Sequence, residues 1–284
     1  MRVLNFGSLN IDHVCRVPHI VRPGETIAAT RCERFAGGKG LNQSIALARA
    51  GAPVAHAGRI GADGLFLKEL LEGEGVDCSR VAVEENGSSG YAMIQVDDAG
   101  ENSIVLYGGA NRRVTPGFGE EVLADFGPGD ILLMQNEISA TVEILRLAAR
   151  RGMRIFLNPA PMDEAVRDFP LDEIDTLIVN ETEAEEIGQY FPQQQLRCNV
   201  LRTLGSRGAV YAGRDGGSIS VPAAKAERVV DTTGAGDTFI GYFLAALVRE
   251  ASVAEALHEA AQASAIAVSR PGAAASIPRR NELS

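Results

Sequence analysis

The chain has 284 residues, and its 27 Lys and Arg against 37 Asp and Glu leave a net charge of −10 at neutral pH. A chain of this length buries roughly 75% of the surface its unfolded form exposes, so it needs no disulfide or metal staple to hold a core. The negative balance, the lack of a Lys/Arg run and the lack of Trp argue against binding to nucleic acid or an anionic membrane. Glycine is the outlier: 31 of 284 residues exceeds the usual level of roughly 7%.

Cys15, Cys32, Cys78 and Cys198 form no C-x-x-C pair, and with His13, His19, His56 and His258 they show no zinc spacing. The start, MRVLNFGSLN, lacks the apolar core of a secretion signal, and no apolar run approaches the roughly 18 residues of a membrane span. These features predict a cytoplasmic protein with reduced thiols.

In chain order, short apolar runs alternate with helix-length segments, the pattern of a parallel sheet covered on both faces. Val3–Phe6 reads as the first strand and Leu41–Ala50 as a helix closed by Gly51. Strands follow at Ile131–Met134, Ile155–Leu157, Leu177–Val179 and Val200–Thr203, with helices at Ala140–Arg151 and Thr182–Gly188 between them. Two stretches break the rhythm. Asp12–Phe35 is β-rich with a Pro23-Gly24 turn, and Gly90–Tyr107 reads as a hairpin turning at Asp97–Gly100. They read either as separate surface hairpins or as a small extra sheet acting as a lid. Thr232–Ser269 is helical in two parts. In the first, Phe239, Ile240, Phe243, Leu244, Leu247 and Val248 form one apolar face; the second, Val253–Val268, is Ala-rich.

Two glycine clusters stand directly ahead of helices. The first is Gly37-Gly38-Lys39-Gly40-Leu41-Asn42, where small residues admit close backbone approach while Lys39 and Asn42 donate to oxygens. It is not a Walker A loop, because Gly40 follows Lys39 where Ser or Thr is required. The second is Asp231-Thr232-Thr233-Gly234-Ala235-Gly236-Asp237-Thr238. Unpaired amides at such a helix start, aided by the helix dipole, suit a phosphate. Phe239 fills the third glycine position of a dinucleotide fingerprint, which argues against that class. A carboxylate at Asp237 beside a bound anion is costly unless it has a task, and taking a proton from an attacking hydroxyl is one. Further polar groups follow strand ends: Asn10 and Asp12, Gln135-Asn136-Glu137, Asn180 to Glu183, and Thr203 to Gly208.

These residues together resemble the ribokinases of the PfkB family of carbohydrate kinases, from Gly7-Ser8-Leu9-Asn10-Ile11-Asp12 to Ser276-Ile277-Pro278, with the two glycine clusters as family signatures. The resemblance implies an α/β fold with a central, mostly parallel sheet flanked by helices. Residues 1–11, 36–89 and 108–284 would form the core, and residues 12–35 and 90–107 a β-sheet lid that pairs two subunits. The implied reaction transfers the γ-phosphoryl group of ATP to the primary hydroxyl of a small sugar, D-ribose first, with another sugar or a nucleoside as the alternative.

Asp237 would be the base, and Gly234, Ala235 and Gly236 the anion hole. Asn10, Asp12, Gly38, Lys39, Asn42 and Glu137 would hold the sugar. Asn180, Thr203, Gly205, Gly208 and Gly236 would line the nucleotide. Asn180 and Glu183 would organise Mg²⁺ through water, and Asp231, Thr233 and Ser276 a monovalent cation, K⁺ in ribokinases. Arg16, Arg22, Arg31 and Arg34 would be either lid-surface residues or a phosphate grip for a phosphorylated substrate. Two departures stand out: Gln189–Val200 is short for the family, and the C-terminal helix after Arg279-Arg280 is curtailed.

Overall fold

The computed structural model describes residues 1–191 and 196–283, so the middle of the short Gln189–Val200 stretch lies outside the described residues. The elements run β1 (Val3–Phe6), β2 (Asn10–Arg16), β3 (Arg31–Gly37), α1 (Lys39–Arg49), β4 (Val54–Gly61), α2 (Leu65–Gly73), β5 (Asp77–Glu84), β6 (Gly90–Val96), β7 (Asn102–Tyr107) and α3 (Pro116–Leu123). They continue with β8 (Ile131–Gln135), α4 (Thr141–Arg150), β9 (Arg154–Asn158), β10 (Thr176–Asn180), α5 (Glu181–Tyr190), β11 (Asn199–Thr203), β12 (Ala209–Ala212), β13 (Ser218–Val221), α6 (Ala235–Val248) and α7 (Val253–Ala267).

The large sheet has the order β13-β12-β11-β10-β9-β8-β1-β4-β5. Every pairing from β11 to β5 is parallel, and β12 and β13 add an antiparallel edge. Central strands such as Ile131-Leu132-Leu133-Met134 are apolar and buried at every position, as a sheet covered on both faces demands. Val3, Ile131 and Leu133 join the core under α1, α6 and α7, while Leu4, Phe6, Leu132 and Met134 join the core under α3 and α4. The period of two therefore sends Asn5 and Gln135 to the α1 side, where both are buried.

The helix expected to carry one apolar face does not behave as a surface helix. In α6, Thr238 through Ala246 are all buried, because the helix is wedged between α1 and α7. The approach to α1 is close: a Cβ at Gly241 would lie 2.3 Å from Ala46 Cβ and 2.9 Å from Leu47 N.

The two β-excursions do pair with each other. They make a four-stranded sheet, β3-β2-β6-β7, in which β2 is antiparallel to β3 and parallel to β6. Register places Cys15 opposite Cys32, and the two are joined by a disulfide. This corrects the expectation of reduced thiols at that pair. A separation of 17 residues gives no hint of contact, whereas antiparallel pairing brings the two side chains face to face. Cys78 and Cys198 are free and buried. Ile104, Val105, Leu106 and Tyr107 of β7 are all exposed, as are Phe35 and Met93. Among the described residues no helix is long and apolar enough to cross a membrane.

Candidate active site

Parallel pairing lines up the C-terminal strand ends. Gln135 stands beside Asn158 in register, and Asn180 beside Thr203. This row of polar residues closes the edge of an otherwise apolar sheet, where open α/β sheets hold their ligands.

On one side of this edge sits the first glycine cluster. Gly38 precedes α1 at φ 95, a conformation open to glycine, and turns the chain into the helix. Lys39 N donates to Glu137 Oε2 at 3.0 Å, the Ser8 hydroxyl donates to the same oxygen, and Lys39 Nζ lies 3.9 Å from Glu137 Oε1. Asp12 fits because residue 37 is glycine: a Cβ there would lie 2.1 Å from Asp12 Oδ2. Burial, reinforced by nearby Glu137 and opposed by Lys39, pushes the Asp12 carboxyl up to about 6. Burial alone would lower the Lys39 ammonium, but Glu137, Asp237, Glu183 and Asp12 outweigh it and hold it above the ordinary lysine value. One cation is thus shared among four carboxylates.

Asn10 is fixed by a residue that sequence reasoning missed. Asn111 Nδ2 donates to Asn10 Oδ1 at 2.7 Å and to Leu9 O at 3.3 Å, while Asn111 Oδ1 accepts from Leu9 N at 3.1 Å. Asn111 lies in a Gly- and Arg-rich stretch with no motif, so only the fold discloses it.

Asp237 is in the first turn of α6. Its Oδ2 accepts from Asn42 Nδ2 at 3.0 Å and its Oδ1 from Gln43 Nε2 at 2.9 Å. Burial raises the carboxyl to about 6 against the pull of Lys39 and of these two amides, with Glu137 adding to the rise. Gly234 caps the helix at φ 75, and a Cβ there would come within 3.0 Å of Ala273 Cα. The first helical bond runs from Thr238 N to Gly234 O at 2.8 Å, so the amides of Gly236 and Asp237 precede it. Ala235 N is turned toward Thr232 O at a long 3.3 Å.

The other expected residues fall into two neighbouring loops. Asn180 and Glu183 form a reciprocal capping box on α5, with Glu183 N to Asn180 Oδ1 at 2.8 Å and Asn180 N to Glu183 Oε2 at 2.9 Å. Burial raises the Glu183 carboxyl, while the Asn180 amide and Lys39 restrain it. After Thr203 the chain turns through Gly205 and Gly208, both at positive φ; a Cβ on Gly208 would strike Val221 O at 2.0 Å. Asp231 accepts from Thr233 N and Gly272 N, each at 2.9 Å. Partial burial would raise its carboxyl, but the Thr233 hydroxyl together with these two amides holds it below the usual range. Ser276 is buried and donates to Ala273 O at 2.8 Å, leaving its oxygen lone pairs free to accept. Of the four arginines Arg16, Arg22, Arg31 and Arg34, Arg31 pairs with Glu33 at 2.7 Å and Arg34 stacks over Phe66 at 4.5 Å.

A doubly-wound sheet with a small second sheet over its C-terminal edge, a glycine-led helix start and a recessed carboxylate define a phosphotransferase-type site. Residues 2–280 match the pfkB family carbohydrate kinase, and the chain belongs to that family. It is 38% identical to the ribokinase of Haemophilus influenzae, over 97% of this chain and 95% of that protein. It superposes with a TM-score of 0.88 on a ribokinase from Cryptococcus neoformans in complex with ADP, at 36% identity, covering 99% of this chain and 98% of that one. Against an Arabidopsis thaliana ribokinase complexed with ribose and ATP the TM-score is 0.86 at 32% identity, covering 99% and 96%.

Proposed function

We propose that this protein is an ATP-dependent ribose kinase, transferring the γ-phosphoryl group to the primary hydroxyl of D-ribose. The observation that carries this reading is Asp237: a recessed carboxylate, held by two side-chain amides, at a glycine-led helix N-terminus beside a shared lysine. Asn10, Asp12, Gly38, Lys39, Asn42 and Glu137 bind the sugar, their polar atoms converging where β1, β8 and α1 meet. Asp237 accepts the hydroxyl proton as the oxygen attacks. Gly234, Ala235 and Gly236 let the amides of the first turn meet the migrating phosphoryl group, where the helix dipole favours negative charge. Asn180, Thr203, Gly205 and Gly208 line the nucleotide.

Mg²⁺, when bound with the nucleotide, neutralises phosphate charge. Glu183 and Asn180 fit it as indirect partners, since one Glu183 oxygen is already committed to the capping box. Asp231, Thr233 and Ser276 offer only oxygen ligands, with the charge of Asp231 fixed by two backbone amides, which suits K⁺. The four-stranded sheet acts as the lid: Asn10 and Asp12 belong to β2, so closure and sugar contact are mechanically one event. The exposed apolar side chains of β7 suit pairing with a second lid in a homodimer. We place the enzyme in the cytoplasm, where ATP and free sugar meet.

The test is ADP release with ribose, 2-deoxyribose, fructose and adenosine, with and without K⁺. Ribose is expected to give the highest kcat/KM, and preference for adenosine would overturn the reading. Activity should rise with pH through a limb near 6, because Asp237 must be ionised to accept a proton. Stability moves oppositely. A carboxyl raised in the fold binds its proton more tightly there than in the unfolded chain, so stability is gained as pH falls from about 6 toward about 4. A pH–rate profile and thermal midpoints in the same buffers check both. Asn111→Ala should raise ribose KM about tenfold by freeing Asn10 and leaving Leu9 N unpaired. Its kcat should stay within about threefold, read from steady-state kinetics.

A further inference from the structure

Behind Asp237 a file of amide side chains runs into the core, and neither apolar packing nor sugar contact calls for it. Asn5, Gln43, Ser44 and Gln135 are all buried. Asn5 Nδ2 donates to Gly40 O at 2.7 Å and Ser44 Oγ at 2.8 Å, which turns Asn5 Oδ1 toward Gln135. Gln135 Nε2 donates to that oxygen at 2.9 Å and to Gln43 Oε1 at 2.7 Å. Gln43 Nε2 is then left to donate to Asp237 Oδ1 at 2.9 Å, with Asn158 Oδ1 a longer acceptor at 3.5 Å. A reversed Gln43 amide would set its oxygen against two acceptor oxygens and its NH₂ against that of Gln135. Burying such a row is costly unless its donors are matched, and here the donors of Asn5, Gln135 and Gln43 all find acceptors, while Gln135 Oε1 has no hydrogen-bond partner among the described residues.

We propose that Gln43 is a positioning residue for phosphoryl transfer, clamping Oδ1 of Asp237 so that Oδ2 faces the sugar hydroxyl, with Gln135 and Asn5 setting the direction of its amide. The inference rests on Asp237 being the base. The two oxygens are not equivalent. Oδ2 meets Asn42, at the sugar side of α1, whereas Oδ1 meets only the buried file. The ionisable groups facing the carboxylate are Lys39 from α1 and Glu137 from the loop after β8, and neither contacts Gln43 in the file.

The test compares wild type, Gln43→Met and Gln135→Met in kcat and kcat/KM for ribose between pH 5 and 8.5 with saturating ATP. Met keeps the length and most of the volume while removing the amide. Gln43→Met is expected to lower kcat about 10- to 100-fold and move the acid limb upward by about half a pH unit or more, a threefold change in proton affinity. Ribose KM should change less than about threefold. Gln135→Met, one step from the base, should move the limb the same way by less, and it carries the test if Gln43→Met fails to fold. A residue that only fills space would lower activity without moving the limb, so an unmoved limb in the folded variants overturns the proposal. Asp237→Asn separates the two levels. If it is inactive while the limb stays put in the glutamine variants, the positioning role fails alone; if it retains turnover, the base assignment fails and this inference with it.

Discussion

Asp237→Asn is expected to lower kcat by about 10³-fold while leaving ribose and ATP affinities within about threefold, read by single-turnover kinetics and calorimetry. The physical case lies in what the substitution changes and what it spares. Asparagine keeps the shape but cannot take a proton from the attacking hydroxyl. Its oxygen still accepts from Gln43, whose amide direction is set by Gln135. The new NH₂ would face that of Asn42, but Asn42 Oδ1 has no hydrogen-bond partner among the described residues. A half-turn of the Asn42 amide therefore makes the missing bond. Removing an ionised carboxylate from a site that raises it to about 6 also relieves a desolvation cost. The thermal midpoint should stay within about 3 °C of wild type, a shift of order 1 kcal/mol. Turnover within tenfold of wild type would remove Asp237 from the chemistry.

Gly40→Ala is expected to damage both stability and sugar binding through a single added methyl. A Cβ there would lie 2.4 Å from Ser8 N, 2.6 Å from Gly7 C and 2.7 Å from Ser8 O, all backbone atoms that no rotamer change can move aside. Relief requires α1 to withdraw from the turn after β1. That breaks the bonds from Gly40 N to Ser8 Oγ at 3.2 Å, from Leu41 N to Ser8 O at 3.0 Å and from Asn5 to Gly40 O. Lys39, Asn42 and Gln43 would move together, because they share one helical turn. We expect about 3 kcal/mol of lost stability and at least a tenfold rise in ribose KM, measured by denaturant unfolding and initial rates. Gly117→Ala is the comparator: its Cβ would meet nothing within 4 Å in α3, so it should be neutral or stabilising by up to about 1 kcal/mol. Equal behaviour of the two variants would show that close approach at Gly40 is not required.

The strands at Ile131, Ile155 and Leu177 were legible because strands buried on both faces read as unbroken apolar runs, and those at Val3 and Val200 because their apolar pairs stand out beside Asn5 and Arg202. β4 and β5 were not, since Val54–Gly61 carries His56, Arg59 and two glycines, and Asp77–Glu84 alternates as an edge strand does. The apolar period of α6 was visible, yet its complete burial was not, because periodicity reports one face and only packing between α1 and α7 shows the other. Spacing along the chain carries no register, so the contact of Cys15 with Cys32 emerges only when β2 and β3 pair.

The sequence by itself determined the two glycine-led helix starts, the carboxylate in the first turn of α6, and the polar residues at the strand ends. Those are local features: conformational freedom, helix termini and strand boundaries are written within a few residues. Only the tertiary structure decided that Asn111 holds Asn10 from 101 residues away and that Gln43 reaches Asp237 across 194. The same holds for the file from Asn5 through Gln135 that orients that amide. Such contacts depend on which strands become neighbours and which face each side chain takes, and those follow from the closure of the whole sheet.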